Sequence, residues 1–439
     1  MIYSRLEVNI SADQLVAALL SGSPERRLAM LDSSGVGHLG SHLLIAGIDP
    51  VETIEVFDDP EKALDALDKA ANSRELAAIF TVSYDLGRIG SRKGAVGPRA
   101  ADEPLVSISL FDTLIIHDYD NVKTEIRGNK RRIDEIEATL ATPKPMLPVG
   151  DIAEAGYRSN LTQTQYVEAV ETVKEYIRAG DTYQANLTQR LCVDIHDRIS
   201  PESVFLRLRA EHPAPFGAFI RRGDSTVVSA SPERFLKIAG RNITASPIKG
   251  TRRREANAVE DLALRNELLA SSKDRAENTM IVDLLRNDLG RVCEFGSVKV
   301  ERLCEVEEHP TLFHLVSTIS GTLRDNVTLR EIMSATFPCG SITGAPKIRT
   351  MEIIDEIEDQ PRGLSMGAIG YSLPPAFGLS PESVVDMSVA IRTMVIRNGE
   401  AVFNVGGGIV IDSDPIQEYN ESLLKAKALL HALGCSESN

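Results

Sequence analysis

The segment FGAFIRRGDSTVVSASPERFLKIAGRNITASPIKGT, residues 216–251, decides how this chain is read. Four short apolar runs, at 216–220, 226–230, 235–238 and 243–248, are separated by the turn clusters Arg222-Gly223-Asp224 and Ala239-Gly240-Arg241. Runs of this length punctuated by glycine-bearing turns predict strands joined as an antiparallel meander. Downstream, apolar residues recur at helical spacing near 258–290, 346–358 and 415–433, and strand patterns return near 367–373, 386–397 and 401–411. Strand clusters interrupted by helices, without regular βαβ alternation, predict an α+β fold.

Upstream of the meander, Thr162 and Gln165 have the spacing of a capping box. Tyr166, Val170, Val173 and Ile177 then follow on one helical face until Gly180 ends the segment. The stretch Thr142-Pro143-Lys144-Pro145-Met146-Leu147-Pro148 cannot continue a helix and reads as a linker between a unit at 1–150 and a unit at 160–435. Within the first unit the patterns predict a helix over Glu61 to Ala71, a strand-like stretch from Leu105 to Ile116, a helix from Lys130 to Thr139 and an exposed loop from Gly90 to Arg99.

The 439 residues are 43% hydrophobic and 25% charged, as expected of a soluble globular protein. A formal net charge of −15 argues against nucleic acid or an anionic membrane as the main partner, so an anionic substrate would need a locally positive site. Cysteines 192, 293, 304, 339 and 435 form no C-x-x-C pair or zinc spacing. The segment Met1 to Glu7 lacks the apolar core of a signal peptide, and no apolar run approaches the ~18 residues of a membrane helix. These features together predict a cytoplasmic protein.

Glu233 and Lys249 have their midpoint at residue 241, in the second turn, so a hairpin would set an acid and an amine nearly opposite each other. A surface ion pair is the commoner outcome of such spacing. Glu277 precedes Met280, Ile281 and Leu284 by three, four and seven, which puts a carboxylate on an apolar helical stripe where a cation is needed nearby. Asp414 and Pro415 suit a helix start, after which Glu418 and Glu421 share one face. Carboxylates from two helices meeting at one point suit a hard cation such as Mg²⁺, although Arg or Lys partners or simple exposure are the commoner outcome for such residues.

Two glycine stretches stand out, Gly340-Ser341-Ile342-Thr343-Gly344-Ala345-Pro346-Lys347 and Gly406-Gly407-Gly408. The first is not a P-loop but can expose amides at the start of a helix near Pro346, and the second marks close backbone approach within a strand. His314, in Phe313-His314-Leu315-Val316, defaults to a core or supporting role, and Cys339 to a packed cysteine.

Taken together, SPERFL (231–236), PIKGT (247–251), DRAENTMIVDLLRNDLGRV (274–292), HLVSTI (314–319), GSITGAPK (340–347), GAIGY (367–371), AIRT (390–393), GGGIV (406–410) and EYNESLLKAKAL (418–429) resemble the chorismate-utilising enzymes. The likeness is strong over roughly 160–433 and weak over the first 150 residues. It implies a four-layer α/β/β/α fold with two orthogonally packed antiparallel sheets. Lysine at 249, where anthranilate synthases carry alanine, implies the branch that aminates chorismate at C4, with anthranilate synthesis as the alternative. Gln184 stands where isochorismate and salicylate synthases carry a water-activating lysine, which disfavours hydroxylation.

The resemblance makes Glu233 the general acid, Lys249 the nucleophile, and Glu277 and Glu421 the Mg²⁺ ligands, with Asp274 and Glu418 supporting them. Tyr371, Arg392 and the amides of Gly407 and Gly408, beside Gly406, are expected around the enolpyruvyl carboxylate. Gly250 and Thr251 border the ring, and His314 joins the substrate pocket. Ammonia is expected from a glutamine amidotransferase on a separate chain. The chain departs from relatives by extra residues from Pro374 to Glu382, and Met30-Leu31-Asp32-Ser33 only loosely matches the stretch where relatives bind tryptophan.

Overall fold

At Ser231-Pro232-Glu233 the chain leaves one β-sheet and enters another. In the computed structural model, which describes residues 3–22, 25–37, 42–90, 102–141, 155–195, 199–309 and 312–435, the expected meander is two hairpins in two different sheets. Phe216–Arg221 and Ser225–Ser231 pair in the first sheet, whereas Arg234–Ala239 and Asn242–Ser246 pair in the second. Alternation and turns locate strands, but they do not say which sheet a strand joins.

The same crossing occurs twice more. The stretch expected as one strand over 105–116 is Val106–Phe111 in the second sheet and Thr113–Asp118 in the first. The stretch at 386–397 is Val384–Val389 in the second sheet and Thr393–Arg397 in the first, with Arg392 at φ 47° between them.

The first sheet runs Tyr3–Val8, Lys123–Asn129, Thr113–Asp118, Leu43–Ile48, Leu28–Asp32, Phe216–Arg221, Ser225–Ser231, Thr393–Arg397, Glu400–Ile409, Gln184–Asp194 and Gly344–Ala345. Tyr157–Ser159 also pairs with Gln184–Asp194. The second sheet runs Ile248–Arg253, Leu312–Thr322, Asn242–Ser246, Arg234–Ala239, Val384–Val389, Ala368–Leu373, Ala77–Val82, Val106–Phe111 and Glu52–Val56, with Lys299–Glu308 also on Leu312–Thr322. Every named strand pair is antiparallel. Strands from before residue 130 sit in both sheets and pair directly with strands from beyond 200. The linker expected at 142–148 and the loop expected after Gly90 lie outside the described residues.

Three apolar cores give the layering. Ile45, Phe111, Ala218, Val227 and Ile369 pack between the sheets. Leu15, Ile133, Phe205, Phe219, Phe403 and Leu429 join the outer face of the first sheet to helices. Phe80, Phe235, Ile281, Leu285 and Met333 do the same for the second. The order is helix, sheet, sheet, helix, an α+β architecture of antiparallel sheets.

The helices that carry the candidate site form as their caps dictate. The region 258–290 is two helices, Ala258–Ala270 and Ser272–Gly290, because Ser271 is extended and its hydroxyl accepts from the Asp274 amide as N-cap of the second. Pro415–Ala432 starts at Asp414, whose carboxylate accepts from the Ile416 and Gln417 amides. Gln163–Arg178 carries the capping box of Thr162 and Gln165.

Candidate active site

Glu233 sits where the chain changes sheets, and this crossing fixes it. The Ser231 hydroxyl donates to Val389 O at 2.6 Å, the Glu233 amide donates to Ser231 Oγ at 3.3 Å, and Glu233 O accepts from the Val389 amide at 3.0 Å. The residue is 4% exposed, and its Oε1 has no hydrogen-bond partner among the described residues. Burial pushes the carboxyl up, against the pull of the Lys249 ammonium, the Ser341 hydroxyl and the Ile248 amide. An acid in this setting keeps a proton to donate at higher pH than an exposed glutamate.

Lys249 does not face Glu233 across a hairpin. The chain breaks at Pro247, and Ile248–Arg253 pairs with Leu312–Thr322, two strands away from Arg234–Ala239. The two residues are still neighbours, because Lys249 reaches back to donate from Nζ to Ser341 O at 3.2 Å. Its charge pulls down the carboxyls of Glu233, Glu277 and Glu421, so one ammonium stands where the buried acid and the acidic cluster meet. Gly250 follows at φ 82°, and a Cβ there would lie 2.8 Å from Asp274 Cγ and Leu268 Cδ1. Only glycine lets this strand run so close to the helix bearing Glu277. Thr251 Oγ1 and His314 Nδ1 share a 2.9 Å hydrogen bond across paired strands.

Glu277 is half-buried; of the expected stripe Ile281 is buried while Met280 and Leu284 are only partly so, and the buried face of the helix runs through Asn278, Ile281, Val282 and Leu285. Burial raises the Glu277 carboxyl. Lys249 and Lys273 oppose the rise, and the carboxylates of Asp274 and Glu418 add to it. Glu418 is 5% exposed and accepts from the Ser413 hydroxyl at 2.7 Å. Burial works against ionisation of Glu421 too, but Lys425, 2.8 Å away, with Lys273 and Lys249, holds it below the usual range. Asp274 is 3.5 Å from Arg252. Carboxylates from two helices therefore share one field, in which Asp274 and Glu418 raise the cost of charge on Glu277.

Among the described residues these oxygens do not close to within 4.8 Å as a ligand group; only exposed Glu211, His212 and His431 do. An all-oxygen donor set that costs itself charge repulsion fits a hard divalent cation that keeps much of its own water.

The glycine strand fills the wall between these groups. A Cβ on Gly407 would lie 3.1 Å from Glu418 Oε2, and one on Gly408 would lie 2.3 Å from Gln184 Nε2. Gln184 is fully buried, and neither its Nε2 nor its Oε1 has a hydrogen-bond partner among the described residues. A Cβ on Gly406 would lie 1.9 Å from Leu187 O on the paired strand.

Arg392 is largely buried, has its charge disfavoured by burial, and makes no side-chain hydrogen bond or ion pair among the described residues. A guanidinium in that state is ready for an anion. Tyr371 is not brought to this cluster. Strand alternation turns it into the space between the sheets, where it lines a cavity with Leu31, Asp32, Ser33, Phe216 and Asp386. Burial and Asp386 raise its hydroxyl.

Two residues here carry no role in the sequence reading. Lys425, one helical turn after Glu421, also donates to Gly406 O at 3.1 Å, and its i,i+4 spacing was the signal. Ser341 joins Lys249 to Glu233 through a loop 92 residues further along the chain, and no local pattern announces it.

The sequence profile of the chorismate binding enzymes matches residues 23–431. The chain is 32% identical over 434 residues to aminodeoxychorismate synthase component 1 of Bacillus subtilis, covering 91% of this chain and 90% of that protein. It is 39% identical over 322 residues to anthranilate synthase component 1 of Streptomyces coelicolor, covering 73% and 61%. The crystal structure of anthranilate synthase component I from Streptococcus pneumoniae superposes with a TM-score of 0.78 at 29% identity, covering 90% of this chain and 93% of that one. No helix of the described residues is long and apolar enough to cross a membrane. Profile, relatives and fold agree, and the chain belongs to the chorismate binding enzyme family.

Proposed function

We propose that this enzyme aminates chorismate at C4 to give 4-amino-4-deoxychorismate, with ammonia supplied by a glutamine amidotransferase on a separate chain, and so feeds p-aminobenzoate and folate synthesis. The observation that carries the reading is Lys249, an amine within the field of a buried acid, where anthranilate synthases have alanine. Relatives named as component 1 of aminodeoxychorismate synthase support it, as does their implied second component.

In this reading Glu233 delivers its proton to the C4 hydroxyl as water leaves. The Lys249 amine, neutral at that moment, attacks C2 while the ring double bonds shift. Ammonia then bonds to C4, the double bonds shift back, and the C2–N bond to Lys249 breaks. Arg392 and the Gly407 and Gly408 amides receive the enolpyruvyl carboxylate, and Gly250, Thr251 and His314 border the ring. Glu277 and Glu421, supported by Asp274 and Glu418, would hold Mg²⁺, which when bound supplies a hard positive charge for the ring carboxylate. Tyr371, facing the inter-sheet cavity, has no part in this reading.

Trapping during turnover tests it. A covalent adduct is expected on the peptide containing Pro247-Ile248-Lys249. Lys249→Arg keeps the charge but cannot supply a neutral amine, and should lose nearly all amination. Normal turnover by the arginine variant would reduce position 249 to a source of positive charge and end the covalent reading.

A further inference from the structure

We infer that Glu211, His212 and His431 form a binding site for a divalent transition ion of the zinc class, which clamps the C-terminal ends of two helices together. Nothing in it depends on the reaction proposed above. Pro201–Glu211 ends at the first of these residues, and Pro415–Ala432 carries His431 in its last turn. The two helices share one apolar core through Phe205, Leu208, Leu429 and Ala432, and Arg207 Nη1 donates to His431 O at 3.4 Å, so their ends are held side by side. His212 stays against the last turn of its helix because its amide donates to Leu208 O at 2.8 Å.

Each of the three side chains offers one ligand atom, and these atoms lie within 4.8 Å of one another. Around a tetrahedral zinc with bonds of about 2.0–2.2 Å, ligand atoms stand about 3.3–3.6 Å apart. All three side chains are exposed, so small rotations close the site. Among the described residues no other three His, Cys, Asp or Glu side chains come so close. A surface ion pair explains only part of this. His431 Nδ1 and Glu211 Oε2, 2.9 Å apart, make such a pair, but a second imidazole at the same point finds the carboxylate already taken, and two charged rings there would repel each other. One metal ion satisfies both neutral imidazoles and the carboxylate at once.

The donors also select the ion. Two imidazoles and one carboxylate suit Zn²⁺ and its neighbours, in contrast to the all-oxygen cluster of Glu277, Glu418 and Glu421, which suits a hard ion. Both helices end here, and the negative ends of their dipoles favour a cation. With three protein ligands and a solvent-facing side, water completes the coordination. Pro415–Ala432 also carries Glu418 and Glu421 in its first two turns, so the ion would fix that helix at its far end.

The full chain, stripped of metal and kept in excess Mg²⁺ to fill the oxygen sites, should bind one equivalent of Zn²⁺ in calorimetric titration with a Kd of about 10 μM or tighter. His212→Ala and His431→Ala should each weaken that binding at least about tenfold, and Glu211→Gln should weaken it in the same direction. Zn²⁺ should raise the wild-type Tm by about 3 °C or more and leave the two histidine variants where they were. Metal-free, the variants should melt with wild type, since the positions are exposed. Zn²⁺ held equally by wild type and the histidine variants lies elsewhere and overturns the inference. A wild type that takes up no Zn²⁺ below about 100 μM, or whose Tm the ion leaves unmoved, overturns it equally.

Discussion

Two readings of Glu233 remain distinct in their consequences, a proton donor or a member of a buried charge network. Its Oε1 has no partner among the described residues and its carboxyl is raised by burial, both of which favour the donor. Glu233→Gln keeps shape and removes the proton. We expect turnover to drop about 10²–10⁴-fold with the melting temperature unchanged or slightly higher, since a buried charge no longer has to be tolerated. An unchanged rate with a lowered melting temperature would make Glu233 structural. At this scale the sequence was informative about identity and poor about geometry. Glu233 and Lys249 were legible as a pair, but the hairpin argument for their proximity was wrong, because Pro247 moves Lys249 to another strand. Tyr371 was expected beside Arg392 from its motif, whereas strand alternation turns it between the sheets.

Two helices carry the acidic cluster, and their starts decide where it forms. Ser271 caps Ser272–Gly290 so that Asp274 and Glu277 fall in its first two turns, and Asp414 does the same for Glu418 and Glu421. The cost of charge on Glu277 beside Asp274 and Glu418 is the physical reason to expect a cation. Isothermal titration should detect Mg²⁺ binding that Glu277→Ala weakens at least tenfold, and chelation by EDTA should abolish activity that Mg²⁺ restores. Full activity in chelator, or wild-type turnover by Glu277→Ala, would remove the metal from the account. Helix caps were legible at Thr162 and Asp414 because capping is local chemistry. The sheet crossings at Ser231-Pro232-Glu233, Asp112 and Ala390 to Arg392 were not, because a period-two pattern is the same in either sheet.

At the scale of the molecule, the first 130 residues and the last 240 share both sheets, so a buried charge far from the acids can report on the whole fold. Asp85 is 2% exposed, lies 3.7 Å from Arg88, and accepts from the Gly363 amide at 3.3 Å. Burial outweighs Arg88 and that amide and pushes its carboxyl up to about 6. The folded state therefore holds this proton more tightly than the unfolded chain does. The contribution is favourable at low pH, and roughly 2–3 kcal/mol of stability is lost as pH rises from the ordinary aspartate range through about 6. Asp85→Asn should gain stability relative to wild type between pH 4.5 and pH 8 in denaturant titrations. An equal difference at both pH values would show that the carboxyl is not raised.

The chemistry itself is a property of the assembled site, and the product reports it. Mass spectrometry of the material formed from chorismate, Mg²⁺ and ammonium should show 4-amino-4-deoxychorismate with no pyruvate released. Anthranilate and pyruvate in equal amounts would contradict the account and place this chain with the anthranilate synthases despite Lys249.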